Sequence, residues 1–94
     1  MTKSTIDASK SPILPAKEYY TGLDKVHRSM VLAELALTTD KSKITIWRWF
    51  SGVSRPDRLY REQVAFTLGK IVKAELNGDE LFPEDFPYKG PHTK

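Results

Sequence analysis

Ser42-Lys43-Ile44-Thr45-Ile46-Trp47-Arg48-Trp49-Phe50-Ser51-Gly52 is the stretch on which the fold turns. Its β-branched residues Ile44, Thr45 and Ile46 are compatible with a strand. The punctuation argues otherwise: Ser42 offers an N-cap hydroxyl and Gly52 supplies the residue that ends helices. Ile46, Trp49 and Phe50 then fall at i, i+3 and i+4, the spacing of one buried helical face. Just upstream, Thr38-Thr39-Asp40-Lys41 makes a poor helix interior and reads as a turn, with Asp40 its pivot. Ala36, four residues before Asp40, is small enough to let the flanking helices approach closely. Two helices joined by a tight turn are therefore expected, with the second opening at Ser42.

Upstream of the turn, Tyr19, Tyr20, Leu23, Val26, Met30, Val31, Leu35 and Leu37 recur mostly at threes and fours from Lys17 onward, as an amphipathic helix requires. Asp24 after Gly22 suits an N-cap or first-turn acid. No Pro or Gly interrupts residues 23–38, which leaves open one long helix or two with a bend near Arg28 and Ser29. Residues 1–16 carry Lys3, Lys10, Pro12 and Pro15 with no period and read as a flexible arm. Downstream, Val53-Ser54-Arg55-Pro56-Asp57 reads as a loop. A further helix from about Asp57 follows, its inward face supplied by Leu59, Tyr60, Gln63, Val64, Phe66, Thr67 and Leu68. The pattern extends past Gly69, which either weakens that helix or breaks it, to Ile71, Val72 and Leu76, until Asn77-Gly78 stops it. From Asp79 the prolines Pro83, Pro87 and Pro91, with Leu81, Phe82, Phe86 and Tyr88, suggest a non-helical strap packed on the domain. The expected fold is all-α: a compact bundle of four to five short helices at 17–84, with a C-terminal tail at 85–94.

Bulk properties narrow the function. The 94 residues are the size of one domain, too small for both a core and a deep walled active site. There is no cysteine, hence no disulfide framework and no thiolate chemistry, which fits a reducing cytoplasm. No run of residues has the length of a signal peptide's apolar region or a membrane span. The net charge of +3 is unevenly spread. Between Lys41 and Arg61, six basic residues face one acid, Asp57, a local balance of +5 that suits a polyanion. His27 and His92 have no metal-ligand spacing around them. The acids Asp79, Glu80, Glu84 and Asp85 lack the glycine and spacing of a calcium loop, and no phosphate-cradling glycine loop is present. Neither a cofactor nor a metal nor an enzymatic reaction is expected, nor a small-molecule substrate.

The run Ser42 to Gly52, with Arg55-Pro56 after it, resembles the recognition helix and following loop of the Cro and phage-repressor-like helix-turn-helix proteins. Val64-Ala65-Phe66-Thr67-Leu68-Gly69 and Glu80-Leu81-Phe82-Pro83 resemble the end of that domain, so the resemblance covers about residues 23–84. Two departures stand out: Asp40 holds the usual glycine turn position, and Lys41 holds a normally apolar one, so it must reach solvent.

The resemblance implies a small transcriptional regulator of double-stranded DNA, nucleoid-associated when bound. Residues 42–51 would lie in the major groove, and Lys43, Ile44, Trp47 and Arg48 would face base edges. Arg48 is suited to a bidentate contact with guanine O6 and N7. Ser42, Thr45, Ser51, Arg55, Arg58 and Arg61 are the candidates for the DNA backbone. Trp49 reads as core, while Trp47 suits the N-terminal arm, a dimer partner or a thymine methyl. A homodimer is implied by the resemblance alone, since no heptad or separate dimer helix stands out. An excisionase-like factor that bends DNA, and a helix-turn-helix scaffold serving protein association, are the competing expectations.

Overall fold

The computed structural model describes residues 13–90. Five helices account for its regular structure: α1 Pro15–Thr21, α2 Lys25–Thr39, α3 Lys43–Phe50, α4 Arg58–Val72 and the single turn α5 Gly78–Leu81. Among the described residues there is no strand, and the fold is all-α as expected. No helix among them is long and apolar enough to cross a membrane.

α1 starts earlier than the composition of the N-terminus suggests. Pro15 occupies the first turn, where its missing N–H costs nothing and its fixed φ suits a helix. Leu14 and Ala16 are buried, so residues 14–16 belong to the packed domain rather than to an arm. The rest of that predicted arm, residues 1–12, lies outside the described residues, as does 91–94 with His92. The apolar spacing that crosses Gly22 and Leu23 spans two helices. Gly22 ends the first, and the Asp24 carboxylate accepts the His27 N–H at 2.8 Å to open the second. From there, Lys25–Thr39 form one uninterrupted helix.

Asp40 makes the turn. Its φ of 60° and ψ of 29° lie in the left-handed region, which Asp tolerates better than most residues, and its N–H returns to the Ala36 carbonyl at 3.1 Å. Thr39 belongs to the helix rather than to the turn. Its buried hydroxyl donates to the Leu35 carbonyl at 2.6 Å and accepts the Lys41 N–H at 3.3 Å, closing the end of α2. Lys41 reaches solvent, as its position demands, with Nζ 5.4 Å from the centre of the Tyr60 ring.

α2 packs on α3 and α4, and α4 on α5. Val31 and Leu35 of α2, Ile46 and Phe50 of α3, and Val64 and Leu68 of α4 are all fully buried between them, together with Leu81 and Phe82. α4 passes through Gly69 without a break and stops at Val72, where Lys73 is left-handed, five residues before Asn77. Gly69 is required rather than tolerated, because a Cβ there would stand 2.6 Å from the Ala74 carbonyl oxygen. Asn77 starts a helix instead of ending one: its side chain accepts the N–H groups of Asp79 and Glu80, so the segment expected to be an irregular strap opens with α5. Leu59 and Phe66, assigned by spacing to the apolar face of α4, are exposed; Val64, Thr67 and Leu68 are buried as expected, and Ala65 joins them. Beyond α5 the chain is irregular and packed, with the Lys89 N–H bonded to the Gly52 carbonyl at 2.9 Å and Tyr88 Oη to the Pro83 carbonyl at 2.9 Å.

Candidate nucleic-acid interface

α3 is eight residues long and is held from three directions. At its start Ser42 Oγ accepts the Thr45 N–H at 3.1 Å, which satisfies one of the donors that a helix leaves unpaired. Ile46, Trp49 and Phe50 are buried, and Trp49 stacks on Tyr60 of α4 with ring centres 5.4 Å apart. At its end Gly52 takes a φ of +81°, and Phe86 lies where a Cβ would point. The Val53 N–H bonds back to the Arg48 carbonyl at 2.9 Å. A short helix would be unstable alone; here capping and burial fix its axis, and its outward side chains are thereby aimed.

The four residues predicted to face bases come together on that outward side: Lys43, Ile44, Trp47 and Arg48 are all exposed. α3 contains no acidic residue. Ser42 and Ser51 bracket the same surface, while Thr45 is half-buried and its hydroxyl accepts from Ser42 Oγ at 3.1 Å. Ser51 Oγ donates to the Arg48 carbonyl at 3.2 Å.

Trp47 is 44% exposed, and its ring centre lies 5.8 Å from that of Tyr20 on α1 at a 53° tilt. Tyr20 in turn stacks on Phe50 at 4.5 Å. Tyr20 thus joins the core to the edge of the outward face, a role the sequence did not mark because α1 lies outside the motif. Burial pushes the Tyr20 phenol above its ordinary value, partly opposed by the nearby Arg28 charge. Near neutral pH it stays uncharged.

The arginines that follow α3 divide into two kinds. Arg61, with a side chain only 12% exposed, donates through Nε to Asp79 at 3.1 Å and through Nη1 to the Pro56 carbonyl at 2.8 Å. Arg55 donates to the Phe82 carbonyl at 2.9 Å and lies 3.9 Å from the same Asp79 carboxylate. Both guanidiniums therefore fasten the loop and the start of α4 to α5. The partner, Asp79, lies outside the basic stretch and neutralises part of its local charge. Arg58 is exposed and has only the exposed Glu62, at 3.6 Å, as a partner, a pairing of little energetic weight. Lys41, Lys43 and Arg48 have no carboxylate within ion-pair distance among the described residues. The positive surface is accordingly centred on α3 and the turn before it.

Comparison with protein-family models, with curated proteins and with solved structures finds no match to this chain.

Proposed function

We propose that this chain binds double-stranded DNA sequence-specifically, with α3 in the major groove, and acts as a small transcriptional regulator of the repressor or Cro type. The observation that carries the reading is the division of α3 into two sides. Ile46, Trp49 and Phe50 anchor it, while Lys43, Ile44, Trp47 and Arg48 stand exposed with no acid among them. A groove lined with phosphates admits such a helix, and the polar groups it carries match what base edges offer. Arg48 reads a guanine edge, Lys43 a guanine or a phosphate, and Ile44 and Trp47 offer apolar surface to a thymine methyl. Lys41, Arg58 and Ser42 hold the flanking backbone, whereas Arg55 and Arg61 act mainly by fixing the loop that follows α3.

Selection from a pool of random duplexes, repeated across salt concentrations with the parent and Arg48→Ala, tests the reading. One enriched motif and a steep fall of affinity with salt are expected, with a loss of roughly 1 to 3 kcal/mol and relaxed preference at one base pair for Arg48→Ala. Binding that is absent, or indifferent to both sequence and Arg48, overturns it.

A further inference from the structure

The side of α2 that faces away from the core carries Val26, Met30, Ala33 and Leu37. All four are exposed, Leu37 to 84%, Val26 to 66% and Met30 to 51%. Their spacing of four, three and four residues is the alternation of a helix seam built to meet another helix. It runs along most of α2, opposite the buried Val31 and Leu35, and no described residue covers it. A solvated helix face rarely places four apolar residues in register with no charge among them.

The order of residues along the stripe specifies its occupant. We infer that the stripe is the contact surface for a second copy of this chain, the two α2 helices lying antiparallel about a two-fold axis between residues 31 and 32. In that register Val26 meets Leu37 of the second copy and Met30 meets Ala33, a long side chain against a small one in the central layers. Each contact occurs twice, as a self-complementary interface requires. The flanks agree. On one side His27 faces Glu34 of the second copy; Asp24 accepts from His27 Nδ1 at 2.8 Å, so that in the protonated ring Nε2–H points outward as a second donor, and Glu34 holds Lys70 through Oε2, leaving its other oxygen to accept. On the other side Ser29 faces Ala36, both small enough for close approach. A parallel pairing would instead set Ala33 against Ala33, leaving a gap, and would give His27 no carboxylate. The seam from Val26 to Leu37 is only about 16 Å long, so the dimer is a weak, reversible one.

Sedimentation of the full chain without DNA, up to about 200 μM because so small an interface belongs to the weak class, tests the inference separately from the DNA reading. The parent is expected to shift from monomer to dimer. Leu37→Glu should stay monomeric with an unchanged circular dichroism spectrum, since the residue supports nothing in the monomer. Phe66→Glu, which alters an exposed apolar residue on α4 outside the stripe, should dimerise like the parent. A parent that remains monomeric, or a Leu37→Glu chain that dimerises like it, overturns the proposal. The register has its own test in a Val26→Cys, Leu37→Cys double variant, whose two positions lie about 16 Å apart along one helix and cannot bridge within it. Oxidation should link position 26 to position 37 between chains. Links of 26 to 26 and 37 to 37, or no links, refute the antiparallel arrangement.

Discussion

α2 and α3 are the two halves of one motif, yet they use their residues differently. α3 has eight residues, and three of them, two aromatic, lie in the core. α2 has fifteen, and also buries three. The outward sides differ in kind: α3 presents two cations, a tryptophan and an isoleucine, whereas α2 presents four apolar residues in register. α3 has no position to spare, since one side anchors it and the other is basic. α2 is longer than its share of the core requires, and the surplus length gives it a second apolar face. Two outward faces of one motif thus suit two different partners, a polyanion for α3 and another helix for α2.

The contrast breaks first in the core. Phe50 is fully buried and stacks on Tyr20, so Phe50→Ala should cost roughly 3 to 5 kcal/mol, a large share of what a domain of this size possesses. Thermal unfolding followed by circular dichroism should show the midpoint fall by more than about 12 °C. Leu37→Ala, an equally simple truncation on the exposed side of α2, should move the monomer's stability by no more than about 0.5 kcal/mol. Similar losses for the two would show that the stripe is already packed within one chain.

The helix starts sharpen the comparison at smaller magnitude. α3 is short enough that its cap matters, and Ser42→Ala should destabilise by about 1 kcal/mol. Ser42→Asp keeps an acceptor for the Thr45 N–H and should preserve stability, while placing a negative charge where the proposed complex has the DNA backbone. A loss of DNA affinity without a loss of stability in Ser42→Asp would separate the phosphate-contacting role proposed for this residue from its capping role. If affinity is unchanged, Ser42 does not lie near a phosphate.

What the sequence disclosed and what it hid follow from the range of the interactions. Asp24, Asp40, Ser42 and Gly52 act on backbone groups within a few residues, so their roles were legible from their neighbours. The inward triad of α3 was legible because a helix with one buried side repeats every three or four residues. The pairing of Arg55 and Arg61 with Asp79 spans 24 and 18 positions, and no local pattern announces it. Leu59 and Phe66 satisfied the spacing of a buried face, but packing against α2 and α5 selected the neighbouring face of α4. The exposed apolar stripe of α2 was hidden by its own core: with Val31, Leu32 and Leu35 on the inner side, the helix looks apolar nearly all round, and one stripe cannot be told from two until the inner side is fixed.

The smallest expected effect concerns the start of α2. Asp24 accepts the His27 N–H and contacts the His27 ring, and these hydrogen bonds, the backbone one above all, hold its carboxyl below the ordinary value near 3.8. A carboxylate depressed on folding contributes stability that is present in full above its unfolded value and is lost as the pH falls through its folded value. Asp24→Asn keeps a side-chain acceptor for the cap but has no charge to lose. The parent should therefore be slightly more stable than Asp24→Asn at pH 5 to 6, and the advantage should disappear as the pH falls below the ordinary carboxylate range and the folded Asp24 is protonated. Because the group is solvent-exposed, the difference should be small. Unfolding midpoints of the two chains measured side by side from pH 6 downward are the check. A gap that persists at the acid end would mean that cap geometry, rather than charge, distinguishes the two side chains. α2 would then start as α3 does, with a neutral acceptor doing the capping.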